Sequence, residues 1–219
     1  MKKLFLASSG LEYIKKFVGD NPSELNMLFI PTAGNLDDEV WWIDKDRDVL
    51  SRMGFKITEL DIAKASIDAM QKALSSADIV YIAGGNTFYL LKQLRDSGFD
   101  KLLTNYVNKG GLYAGASAGA LVAGVDIEPV LTIDEPEKVK GLKSTKGLGL
   151  VNIIPIPHYD MDSRAKAIDD IKKKYSDRFE LVLLTDDEAI YVEGAKWKLV
   201  SSERSALEYE WFEKSHDSV

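Results

Sequence analysis

Short apolar runs alternate with longer stretches in which apolar residues recur at helical spacing. Leu4–Ala7, Met27–Ile30, Phe55–Leu60, Ile79–Ile82, Leu112–Ala116 and Leu181–Leu184 are of strand length and are closed by glycine, proline or polar residues. Between them, Leu11–Val18, Asp37–Met53, Ser66–Ser76, Thr87–Arg95, Leu102–Asn108 and Ser163–Tyr175 carry the 3.6-residue pattern. Asp37 is the expected N-cap of the second helix and Gly54 its stop. Near-continuous apolar strands separated by helices predict an α/β fold, a three-layer sandwich with a mostly parallel sheet covered on both faces. Val151–His158 is expected to rejoin that sheet. The charged, glycine-bearing Asp134–Gly149 reads as a surface excursion, and Glu193-Gly194-Ala195 as the turn of a closing hairpin. With no linker or repeat in view, the 219 residues read as a single domain.

Composition narrows the partners. A net charge of −7 speaks against nucleic acid, since phosphate neutralisation needs a basic face; Lys172-Lys173-Lys174 is too short to supply one and reads as a solvated helix face. The absence of cysteine removes thiolate catalysis, disulfides and cysteine-based zinc sites. The apolar part of Met1–Ser8 is too short for a signal peptide, and no segment approaches the roughly 20 apolar residues of a membrane span, so a cytoplasmic protein without a membrane partner is expected.

The chemistry centres on Gly115-Ala116-Ser117-Ala118-Gly119. A buried strand that breaks at a serine flanked two residues away by glycines has the form of a nucleophile elbow. A serine hydroxyl needs a base, and the chain has two histidines. His158 follows a strand and falls on the carboxyl edge of the sheet with Ser117, where catalytic groups of open α/β sheets gather. His216 lies in the polar tail. Asp186, directly after Leu181–Leu184, is the first choice to orient the imidazole, with Asp134, Asp160, Asp187 and Glu188 as alternatives. The Ala118 N–H and, from Gly84-Gly85-Asn86, the Gly85 N–H are the expected oxyanion donors. A phosphate-binding reading of the paired glycines lacks both the third glycine and the lysine that such loops use.

Ala83-Gly84-Gly85-Asn86-Thr87-Phe88-Tyr89-Leu90-Leu91, Gly115–Ala120 and Pro157-His158 together resemble the peptidase E and cyanophycinase family of serine peptidases. The resemblance spans nearly the whole chain. It implies a flavodoxin-like or class I glutamine-amidotransferase-like fold, Ser117 as nucleophile, His158 as base, an oxyanion hole at Gly85 and Ala118, and no metal or organic cofactor. It also implies small peptide substrates, including dipeptides with N-terminal aspartate, bound with the help of Asn86 and of a basic residue after the histidine, for which Arg164 is the nearest arginine. The family's acid is commonly a glutamate where this chain has the shorter Asp186. Two other readings are carried forward: an esterase or amidase of α/β-hydrolase type using Ser117, Asp186 and His216, and a catalytically silent binding protein on the same fold. The tail aromatics Tyr209, Trp211 and Phe212 could dock on this chain or on a second copy, leaving monomer and homodimer open.

Overall fold

A computed structural model describes residues 1–19 and 21–201. The chain runs β1 (Lys3–Ala7), α1 (Ile14–Val18), β2 (Asn26–Ile30), α2 (Trp41–Arg52), β3 (Lys56–Glu59), α3 (Ile67–Ser75) and β4 (Ile79–Ile82). It continues through α4 (Thr87–Asp96), α5 (Phe99–Asn108), β5 (Leu112–Ala116), α6 (Ala118–Ala123), β6 (Ile154–Ile156), α7 (Ala165–Tyr175), β7 (Leu181–Leu183), β8 (Glu188–Glu193) and β9 (Lys196–Ser201). The main sheet has the order β3-β2-β4-β5-β1-β8-β9. Its first five strands are mutually parallel, β8 is antiparallel to β1, and β8 and β9 form the expected hairpin. The fold is an α/β sandwich.

The continuous apolar runs follow from burial on both faces of the sheet. In β1, Leu4 and Leu6 pack into the cluster built with α3, α4, α5 and α6, whereas Phe5 and Ala7 pack into the one built with α1 and α2. Tyr113 and Ala114 divide β5 in the same way. Alternation of side chains along a strand sends neighbours to opposite layers, so every position must be apolar.

Two expectations are corrected. Asp37 does not cap α2: the chain first makes a turn in which the Asp37 N–H bonds to the Gly34 carbonyl, and the helix begins after Val40 with no side-chain cap. The Val151–His158 run does not rejoin the main sheet. Only Ile154–Ile156 is strand, paired in parallel with β7 in a separate two-stranded sheet whose buried side chains join the α4–α7 layer. Other boundaries fall within a few residues of the pattern, and Ser66 caps α3 by accepting from the Ala69 N–H. Among the described residues no helix is long and apolar enough to cross a membrane. His216, Tyr209, Trp211 and Phe212 lie outside the described residues.

Candidate active site

The site forms where parallel strands end together. Registers pairing Ala7 with Ala116 and Ile82 with Gly115 bring the carboxyl ends of β1, β4 and β5 to one edge. Because β8 runs antiparallel to β1, with Ala7 opposite Ala189, the segment entering β8 arrives at that same edge. Bonds from the Ser8 N–H to the Glu188 carbonyl (3.0 Å) and from the Gly10 N–H to the Asp186 carbonyl (2.8 Å) extend this pairing past the strand end and fix Asp186.

Ser117 sits between β5 and α6 with φ 49° and ψ −109°, a backbone conformation rare for any residue with a Cβ. Its N–H lies 3.0 Å from the Ala7 carbonyl and 3.1 Å from that of Ser8, which hold the strained turn in place. The flanking glycines are steric necessities: a Cβ on Gly115 would lie 2.5 Å from the Gly119 backbone, and one on Gly119 would lie 2.1 Å from the Ile82 carbonyl oxygen. Gly84 is less constrained but still tightly packed, its Cβ position being 3.2 Å from the Ser117 Cβ. Gly85, at φ 142°, leaves no room for a side chain against Ala33, whose carbonyl would stand 2.4 Å from a Cβ.

His158 Nε2 is 3.1 Å from Ser117 Oγ, and His158 Nδ1 is 2.5 Å from Asp186 Oδ1. A carboxylate only accepts, so Nδ1 carries the proton and Nε2 is left as the acceptor for the serine hydroxyl. His158 itself has φ 61°, and its N–H donates to Ser8 Oγ at 2.8 Å. The Ser8 hydroxyl turns toward Asp186 Oδ1 at 3.4 Å. Ser8 is buried and links His158 to Asp186, so it belongs to the site although the sequence reading passed over it. Its place at the end of a parallel strand was the available signal.

The other candidate acids have different work. Asp160 accepts the Asp186 N–H (3.1 Å), Asp187 accepts the Thr185 hydroxyl (2.7 Å), and Glu188 accepts the Thr185 N–H (2.9 Å). These three shape the turn that presents Asp186. Asp134 accepts from both the hydroxyl and the N–H of Thr87 rather than from His158.

Among the described residues, the Gly85 and Ala118 N–H groups take no part in the turn and loop hydrogen bonds around them. Asn86, expected to meet substrate, instead caps α4. Its Oδ1 accepts the Tyr89 N–H (2.9 Å) and its Nδ2 donates to the Glu135 carbonyl (3.2 Å), so its side chain positions the glycine turn and the start of α4. A cleft of about 360 Å³, a size suited to a small ligand, is lined by Ser117, His158, Gly84, Gly85, Asp134 and Arg164 and rimmed by Trp41, Trp42 and Met161. Trp42 donates its indole N–H to the Gly84 carbonyl (3.3 Å) and so steadies the glycine turn, another contribution that only proximity in space shows. Asp46, also on the cleft wall, accepts the Tyr81 hydroxyl at 2.6 Å, and burial pushes its carboxyl up to about 6. No group of three or more His, Asp and Glu among the described residues is placed to hold a metal ion.

Residues 4–200 match the model of Peptidase family S51. The chain is 33% identical over 194 residues to an uncharacterized peptidase of Listeria innocua serovar 6a, covering 88% of this chain and 93% of that one. It is 34% identical over 135 residues to a peptidase E of Shigella flexneri, covering 60% of this chain and 54% of the other. Among solved structures, a 1.5 Å crystal structure of a candidate peptidase E protein from Listeria monocytogenes EGD-e superposes with a TM-score of 0.86 at 30% identity, over 92% of this chain and 98% of that one.

Proposed function

The chain belongs to peptidase family S51 and is a serine-type peptidase; from that premise we propose that it hydrolyses small peptides through an acyl-enzyme formed on Ser117. The observation that carries the proposal is the unbroken sequence of contacts from Asp186 through His158 to Ser117, at 2.5 and 3.1 Å. Ser117 Oγ attacks the scissile carbonyl carbon as His158 Nε2 takes the hydroxyl proton. The charged imidazolium is stabilised by Asp186, which stays ionised. The carbonyl electron pair moves onto oxygen, where the Gly85 and Ala118 N–H groups donate to it. Collapse of the tetrahedral intermediate breaks the C–N bond, and the amine leaves with the proton from Nε2. Water then repeats the attack on the ester, again deprotonated by His158, and frees the acid product and Ser117.

The 3.1 Å serine–histidine contact supports this reading over a silent binding protein. It also supports His158 over His216 as the base, and hence the peptidase order of residues over that of an α/β-hydrolase esterase. The cleft favours short substrates, and the resemblance to peptidase E points to dipeptides with N-terminal aspartate, with Arg164 on the cleft wall as the group for the substrate carboxylate. In this proposal the 219 residues work as one unit in the cytoplasm, as a monomer or homodimer, without nucleic acid or membrane. The test is turnover of a panel of Asp-X and other dipeptides by wild type and Ser117→Ala. Loss of about a millionfold in kcat with the variant is expected; turnover that survives in Ser117→Ala would overturn the mechanism.

A further inference from the structure

The peptide unit joining Gly84 to Gly85 lines the reaction cleft and carries, at its nitrogen, the N–H assigned above to the oxyanion. At its oxygen it accepts the indole N–H of Trp42 at 3.3 Å, the one hydrogen bond to that carbonyl among the described residues. The chain on either side is pinned by backbone: the Ala83 N–H donates to the Ile30 carbonyl at 3.0 Å, and the Asn86 N–H to the Ala33 carbonyl at 2.9 Å. A trans peptide is planar and points its C=O and N–H in opposite directions, so whatever fixes the Gly84 oxygen also aims the Gly85 N–H. Glycine on both sides makes that aim easy to lose. Without a Cβ at either residue the plane can turn about its two flanking bonds, and a glycine reaches negative φ as readily as the 142° that Gly85 adopts. The indole that opposes this turn is itself held: Trp42 projects from α2, is half-buried against the α1–α2 core layer, and meets Trp41 edge-on with ring centroids 5.9 Å apart.

We propose that Trp42 is a positioning residue for the reaction: its indole N–H holds the Gly84–Gly85 peptide in the orientation that presents the Gly85 N–H to the oxyanion and, by polarising the amide through its oxygen, makes that N–H a stronger donor. The inference rests on the reading of Ser117 as nucleophile and of the Gly85 N–H as an oxyanion donor. Trp42 acts through that one peptide rather than on the reacting atoms. A donor fixed in advance needs no reorganisation as negative charge develops on oxygen, so the contact takes effect in the transition state. Loss of the indole N–H therefore slows the chemical step and leaves ground-state binding alone.

The rate of labelling by a fluorophosphonate tests this without assuming a peptide sequence. Ser117 Oγ bonds to phosphorus as fluoride leaves, the hydroxyl proton passes to His158 Nε2, and the phosphoryl oxygen takes the place of the oxyanion. Two variants are compared with wild type: Trp42→Phe, and Trp42 replaced by 3-benzothienylalanine, which keeps the bicyclic shape and puts sulfur where the N–H stood. Both are expected to label about 10–100-fold more slowly, somewhat less than the loss on removing an oxyanion donor outright. The pH midpoint of labelling, which reports His158, is expected to stay where it is, because the His158–Asp186 pair is untouched. A merely structural role for Trp42 would slow Trp42→Phe and spare the isostere. A wild-type rate in the isostere, or a loss of rate accounted for by a shifted pH midpoint, would overturn the inference while leaving Ser117 as the nucleophile. No labelling of Ser117 in wild type would instead overturn the acyl-enzyme reading, and the inference with it.

Discussion

Asp46 offers a quantitative test of how the fold tolerates charge beside its cleft. Its carboxylate is buried between α2 and β4, with the hydroxyl of the fully buried Tyr81 as its hydrogen-bond donor. Desolvation lifts the carboxyl from 3.8 to about 6, against the smaller opposing effects of Tyr81 and Lys45. A raised acid favours the folded state when protonated, so its contribution is fully present below pH 3.8 and is lost as pH rises through about 6. At pH 7.5 the 2.2-unit difference (6 minus 3.8) at 1.36 kcal/mol per unit gives a penalty of about 3 kcal/mol. Asp46→Asn keeps the shape and the acceptor for Tyr81 while removing the charge. It should therefore be more stable than wild type by about 3 kcal/mol at pH 7.5, about half of that at pH 5, and under about 1 kcal/mol at pH 4. For a domain of this size the gain at pH 7.5 corresponds to roughly 6–12 °C in Tm. Urea denaturation at the three pH values, followed by tryptophan fluorescence, reads it directly. No gain at pH 7.5, or an equal gain at every pH, would refute the assignment of the cost to a buried charge.

Three further substitutions probe the site's construction. Gly119→Ala would force a Cβ to within 2.1 Å of the Ile82 carbonyl oxygen, a backbone atom that has no easy retreat; a loss of about 3 kcal/mol or more is expected in thermal melts. Ser8→Ala removes the acceptor for the His158 N–H in a buried setting, and should cost about 1–3 kcal/mol in stability and lower kcat roughly tenfold with little change in KM, read from melts and steady-state kinetics. Asp186→Asn should lower kcat by about 10⁴ with the fold intact, by presenting the wrong partner to His158 Nδ1, and single-turnover kinetics would locate the loss in acylation.

How far the sequence carries this picture depends on whether a feature is local. Strands buried on both faces must be apolar throughout, so β1, β2, β4 and β5 were legible, as were the steric demands at Gly115 and Gly119. Ser117 and His158 follow from the elbow and the scarcity of histidine. The preference for Asp186 came from its place at a strand end, and what holds it there, the continuation of the β1–β8 pairing past Ala7, is a long-range arrangement. Asn86 looked like a binding residue because it follows two glycines, but an asparagine before a helix has a competing use as an N-cap, and here it serves that use. Ser8, Trp42 and Asp46 were invisible because each comes to the cleft from an element distant in sequence: the Ser8 hydroxyl meets His158 and Asp186, Trp42 bonds to Gly84, and Asp46 is held on the cleft wall by Tyr81. The separate β6–β7 sheet was also hidden, since an apolar run does not reveal which neighbour it pairs with.

The central claim is that His158 activates Ser117. Labelling with a fluorophosphonate, located by mass spectrometry of the digested protein, tests it most directly. The account predicts one adduct, on Ser117, formed at a rate that falls by several orders of magnitude in His158→Ala. Labelling at another residue, or at Ser117 with an unchanged rate in His158→Ala, would contradict it.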